Sequence, residues 1–221
     1  MYSLLWVAFC LALLAGCSAS YRARLILDET REVVEEAKRY DAGKYAPDDL
    51  AVAVDNIHSS EEMLKESSPE QGLKIAREAL RKAQEALDIS LRSKAGDRLK
   101  EARAKLKALD VNEMGMDNPD VYDNVVKAVK SAESAYMGER FEESLNFSQD
   151  ALFNGEILLG GLRKEVSLRR DAMGTHLKAF ILEKRDVTGL TTALGEIDEM
   201  VKRGEYRRAL RGLEEAEKEY K

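Results

Sequence analysis

The sequence predicts an all-α protein, an elongated array or bundle of helical hairpins. Three observations carry that prediction. Ala, Leu, Glu, Lys and Arg dominate the chain, which is the composition of long helices and not of sheets. The three prolines all stand where a helix would begin. Between them, apolar residues recur at helical spacing, in one row every seventh residue.

The first segment is of another kind. Residues 1–20 carry no charged side chain, and residues 4–14 form an apolar run of 11. That is short of the ~20 residues of a membrane-spanning helix. It has the length of a secretory signal core, with the small residues Ala15 and Gly16 directly after it.

The body then reads as a series of helices. Ile26, Val33 and Tyr40 are seven apart. Pro47, followed by Asp48 and Asp49, opens a helix whose apolar face is Leu50, Ala53, Val54, Ile57 and Leu64. Ser68-Pro69-Glu70-Gln71 has the form of a capping box. It starts a long helix of about residues 69–109, faced by Leu73, Ala76, Leu80, Ala83 and Leu87. Asn118 is an N-cap candidate before Pro119. The row Leu145, Leu152, Leu159, Val166, Met173 and Phe180, with its companion Phe141, Ser148, Gly155 and Leu162, implies a second long helix of about residues 139–183. Small Ser148 and Gly155 would admit a close neighbour. Gly160-Gly161 in this helix, and Gly96 in the other, are points where a kink is expected. Val187, Leu190, Leu194, Ile197 and Val201 face a penultimate helix, and Tyr206, Leu210, Leu213 and Tyr220 face the last.

These helices repeat. With Leu73, Leu145 and Leu210 as anchors, Met63, Ala135 and Met200 stand ten residues before, and Ala79, Ala151 and Ala216 six after. Pro47 and Pro119 share one offset from the first two anchors. The spacing is 72 and then 65 residues, which gives units at about 45–90, 117–160 and 185–221 within one helical domain, 17–221.

Charge and motif content exclude several functions. The 35 basic and 41 acidic residues give a net charge of −6, which argues against binding nucleic acid or anionic lipid surfaces. There is no phosphate loop, dinucleotide fingerprint or nucleophile elbow. His58 has Glu61 and Glu62 on its helix face but no third ligand at metal spacing, so a solvated face is expected. His176 falls on the companion row and is expected to be a partly buried packing residue. Residues 110–123 hold Asp110, Glu113, Asp117, Asp120 and Asp123 without the spacing of an EF-hand, and read as a capped, solvated linker. No catalytic, cofactor-binding or metal residue is assigned, and no enzyme activity is expected.

Leu14-Ala15-Gly16-Cys17 resembles the lipobox of bacterial lipoproteins. The resemblance implies a signal peptide of residues 1–16, with Cys17 as the lipidated first residue of the mature chain (diacylglycerol and an acyl chain such as palmitate). Ser18, rather than Asp, implies the periplasmic face of the outer membrane. With Cys10 removed and Cys17 acylated, no thiol remains for a disulfide or a cysteine zinc site. Gly204, Tyr206 and Ala209, with Leu213 and Ala216, resemble the second half of a tetratricopeptide (TPR) motif, and Gly138, Phe141, Ser144, Ser148 and Ala151 echo it. That implies TPR-like hairpins and no particular ligand. Residues 14–90 also resemble small bacterial lipoproteins with an all-helical domain of unassigned activity, on the lipobox, Tyr45-Ala46-Pro47 with Leu50, and the Ala-rich third helix.

The expected function is that of a membrane-anchored, non-enzymatic scaffold for an envelope protein. Tyr45, Tyr122, Tyr136 and Tyr206 are its candidate partner contacts. A structural spacer or self-associating bundle, with a homo-oligomer as its sign, is the alternative; a hydrophobic-ligand carrier is the second.

Overall fold

A proline at the first helical position is preset for the helix and gives up only an N–H that would be unpaired there. All three prolines do this in the computed structural model, which describes the backbone of residues 2–220 and the side chains of residues 19–220. The signal segment, Cys17 and Lys221 lie outside the residues described at side-chain level. The described residues form nine helices and no strand: α1 (Tyr2–Arg39), α2 (Ala42–Tyr45), α3 (Pro47–Lys65), α4 (Pro69–Val111), α5 (Met114–Asp117), α6 (Pro119–Met137), α7 (Phe141–Leu182), α8 (Thr188–Lys202) and α9 (Tyr206–Glu219). The two long helices expected from the sequence are α4 and α7, and helical pairing continues through Gly96 and through Gly160-Gly161. Asn118 precedes α6 but makes no side-chain cap; its carbonyl accepts the Tyr122 N–H at 3.0 Å.

Contacts divide the chain into two compact units, Met1–Gly96 and Asp97–Lys221. In the first, α1 packs on α3, and the core is built of small residues: Ala19, Ala23, Ala53, Ala76, Ala79 and Ala83 around Leu27, Val34, Ile57 and Leu73. The row Ile26, Val33 and Tyr40 is only the half-buried flank on α1. The buried row is Ala23, Leu27, Thr30, Val34 and Ala37, in which small residues alternate with Leu27 and Val34.

The second unit has the larger core. Leu109, Val125, Val129, Leu158, Leu159, Leu162, Val166, Met173 and Phe180 meet Leu190, Leu194, Ile197, Leu210 and Leu213. Helix α7 packs on α6 and on α9. Its seam is as expected from the heptad, with Leu159, Val166, Met173 and Phe180 buried, although Leu145 and Leu152 are half-buried and Ser144, Ser148, Ala151 and Gly155 take the buried line at that end. A Cβ on Gly155 would lie 2.6 Å from Lys105 Cγ, so α4 and α7 touch closely there. His176 is exposed, contrary to expectation: Met173 and Phe180 occupy the seam on either side of it and turn it outward, with its ring 6.3 Å from that of Phe180.

The turns recur, at offsets of 72 and then 71 residues in one set and of 72 and then 65 in the other. Asp41, Glu113 and Lys184 end the long helices in the left-handed region, at φ 63°, 56° and 56°. Ser67, Glu139 and Gly204 do so in the hairpin turns, at φ 61°, 57° and 75°. Each hairpin turn closes with the same i to i−5 bond: Ser68 N–H to Met63 O at 2.9 Å, Arg140 N–H to Ala135 O at 2.9 Å, and Glu205 N–H to Met200 O at 3.0 Å. The first two hairpins also share a buried link. The Ser60 hydroxyl donates to Gly72 O at 2.8 Å, and the Ser144 hydroxyl donates to Ala132 O at 2.9 Å. Ser60 and Ala132 are 72 residues apart, as are Gly72 and Ser144, so one helix–helix bond is made from opposite sides in the two hairpins.

The glycines of α7 separate packing from backbone freedom. Nothing lies within 4 Å of a Cβ built on Gly160 or Gly161. Gly160→Ala and Gly161→Ala are each expected to raise stability by up to ~1 kcal/mol through helix propensity. Gly155→Ala is expected to lower it by ~1 kcal/mol, because the clash outweighs the same gain. Urea unfolding followed by circular dichroism measures all three.

Candidate interaction surface

All four candidate tyrosines are half-buried. Tyr45 ends α2, with Lys44 Nζ 4.2 Å from its ring centroid and hydrogen-bonded to its hydroxyl at 2.7 Å. Tyr122, in the first turns of α6, lies against Gly115 and donates its hydroxyl to Asp110, which raises the phenol above its ordinary pKa. Tyr136, near the other end of α6, makes an edge-to-face contact with Phe141 at 5.4 Å. Tyr206, at the start of α9, accepts a hydrogen bond from Arg163 Nε at 3.2 Å. Tyr122 and Tyr136 are about 21 Å apart along one helix at 1.5 Å per residue.

The acidic loop is exposed to solvent at Asp110, Asp117, Asp120 and Asp123, as expected, but it is also tethered at two points. It contains the short helix α5, with Met114 buried, and its carboxylates are drawn to α9: Asp117 pairs with Arg207 and Glu113 with Arg211. Asn112 is fully buried at the centre of this junction. Its Nδ2 donates to Ala108 O at 2.8 Å and Gly204 O at 3.0 Å, and its Oδ1 accepts from Arg207 N–H at 3.0 Å. Sequence reading passed over Asn112 because nothing local marks an asparagine that reaches a turn 92 residues away.

Other charges also serve packing. Glu61, a carboxylate near His58, pairs with Arg31. Among the described residues no group of three or more His, Cys, Asp or Glu could hold a metal ion. Lys105 donates to Glu156 at 2.6 Å, and with Arg163 nearby this lowers the Glu156 pKa. Arg170 grips Asp198 with both arms of its guanidinium, at 3.0 and 2.8 Å, and holds that carboxyl below its usual range. The open cleft of the first unit, lined by Arg24, Asp28, Arg31, Glu61 and Lys65 over Leu27 and Leu64, is likewise crossed by ion pairs.

The outer side of α7 departs from this pattern. Phe153 is 68% exposed and Ile157 56%, on the side of the helix away from its seam. The corresponding residues of α4, 72 earlier, are Arg81 and Glu85, which are paired with one another. Sequence reading missed Phe153 and Ile157 because a long helix rich in apolar residues offers several rows, and burial alone shows which one is left outside.

Comparison with protein-family models, curated proteins and solved structures finds no match for this chain. Among the described residues no helix is long and apolar enough to cross a membrane.

Two outcomes test the junctions. Asn112→Ala strands buried backbone partners and is expected to cost about 2–4 kcal/mol; hydrogen exchange should show α9 amides opening earlier. A carboxylate with a lowered pKa adds stability that is complete above its unfolded pKa and is lost as pH falls through its folded one. Asp198→Asn should therefore lower the melting temperature at pH 7 and converge with the unchanged protein as the pH falls through the lowered pKa of Asp198. Thermal melts across pH measure the gap.

Proposed function

We propose that this chain is a lipid-anchored, non-enzymatic scaffold at the periplasmic face of the outer membrane, where its hairpins dock an envelope protein. The observation that carries the reading is the recurrence of one hairpin geometry at offsets of 72 and 65 residues. Within the second unit the α6–α7 and α8–α9 hairpins pack through one core, and hairpins packed in this way offer a partner a run of helix faces. The TPR-like spacing around Gly204 and Gly138 supports the same reading.

Helix α6 is the docking element. Its inner residues Val125, Val129, Ala132 and Ala135 are buried, while Tyr122 and Tyr136 keep part of their rings at the surface and Met137 is 79% exposed. Aromatic rings with a polar tip suit such contacts, because each adds a large apolar area at small entropic cost. Lys105, Glu156, Arg170, Asp198, Glu113 and Arg211 are committed to ion pairs between elements, which supports a packing role for them over a chemical one. The anchor is Cys17, and acyl chains at ~0.8 kcal/mol per buried methylene would hold the chain at the membrane.

Two measurements test this. The intact mass of the exported chain should begin at Cys17 and carry acyl groups, and Cys17→Ser should abolish both processing and membrane retention. Crosslinked envelopes should yield one partner that is lost from a Tyr122→Ala/Tyr136→Ala variant of unchanged helicity. An unprocessed N-terminus, or the same proteins recovered with and without the tyrosines, overturns the reading.

A further inference from the structure

We infer that the outer face of α7 is a site of self-association, taking the same face of a second copy of this chain in antiparallel orientation. The inference rests neither on the lipid anchor nor on the docking of an envelope protein. It starts from the five residues Asp150, Phe153, Ile157, Gly160 and Lys164, spaced three, four, three and four apart. That spacing places them on one stripe of the helix, and the buried residues Ser148, Ala151, Gly155, Leu158 and Leu162 lie on the other side. All five are exposed except Gly160, which is partly so.

The charged ends of the stripe are placed symmetrically about Ile157. Asp150 and Lys164 lie seven residues to either side, with opposite charges. Phe153 lies four residues before and Gly161 four after, beside Gly160. A two-fold axis through Ile157 therefore sets each Asp150 against the partner copy's lysine and each isoleucine against its counterpart. It also sets each phenyl ring into the gap over the glycine pair. That gap is real, since nothing lies within 4 Å of a Cβ placed at Gly160 or Gly161. A parallel pair would oppose aspartate to aspartate and lysine to lysine, and would leave the glycines facing one another.

The charges at the two ends are available for this. The ion pairs described along this stretch use Glu156, Arg163 and Glu165, and leave out Asp150 and Lys164. The corresponding stripe of α4 lacks the pattern: Glu78, Arg81 and Glu85 satisfy one another along the helix. A partner of unrelated sequence would give no reason for opposite charges and a ring-and-gap pair to be disposed about one residue. A second copy does. A contact of about four helical turns is small, so a weak, concentration-dependent dimer follows.

Sedimentation equilibrium of the full chain in detergent tests it. The unchanged chain should dimerise reversibly. Asp150→Lys and Lys164→Asp should each weaken the dimer by about tenfold or more, and the double exchange should restore it. In oxidative crosslinking, Ile157→Cys should give a dimer band absent from the unchanged chain, whose own cysteines set the background, and Lys178→Cys should not. A monomer at every concentration, failure of the double exchange to rescue, or equal crosslinking through Lys178→Cys overturns the inference. All these positions are exposed, and unchanged helicity and melting temperature separate loss of pairing from loss of fold.

Discussion

The second unit depends on the seam of α7, a helix of 42 residues that must present buried side chains along its whole length. Its two ends meet that demand differently. At the first end the line is small, Ser144, Ser148, Ala151 and Gly155; α6 comes close enough for the Ser144 hydroxyl to reach its Ala132 carbonyl, and Lys105 of α4 lies against Gly155. At the second end it is large, Val166, Met173 and Phe180, and these side chains fill the space toward α8 and α9. A period near 3.5 keeps both ends on one face. A shift of a single position would take Met173 and Phe180 off that face and put Ala172 and Ala179, or Gly174 and Ile181, in their places.

The turns follow from the same constraint. A hairpin whose helices touch closely needs a sharp reversal, and a left-handed residue with a returning backbone bond supplies one. Of the three residues that do this in the hairpins, only Gly204 is glycine. Ser67 and Glu139 accept about 1–2 kcal/mol of steric cost each, offset by the bonds that close the turn and by the packing that the reversal permits. The recurrence is thus one of backbone geometry, made each time by different side chains. The link between Ser60 and Gly72 in one hairpin, and between Ser144 and Ala132 in the other, shows the same thing, since donor and acceptor exchange helices and the contact survives.

Around these cores, charge serves attachment between helices. Lys105 with Glu156, Arg170 with Asp198, and Arg207 and Arg211 with the acidic loop each tie neighbouring elements at their edges. Partly exposed pairs contribute little each, yet they select among packing arrangements of similar apolar content. The outer side of α7, where no such pairs form across Phe153 and Ile157, therefore stands apart from the rest of the helical surface.

Much of this was legible in the residues alone. Proline at the first helical position, the heptad row of α7 and the 72-residue offset are local or periodic signals, and they determined the helical class, the two long helices and the helix starts. Signals of this kind suffice because a helix is specified by its own residues and by the spacing of its apolar side chains. Only the tertiary structure decided which of several apolar rows is buried. It turned His176 outward, put the row of Ala23, Leu27, Thr30, Val34 and Ala37 instead of Ile26 and Val33 at the core of α1, and left Phe153 outside. It alone joined Asn112 to Gly204 and the acidic loop to α9. Those contacts depend on residues far apart in the chain whose side chains carry no local mark of a distant partner, so no window of sequence could contain them.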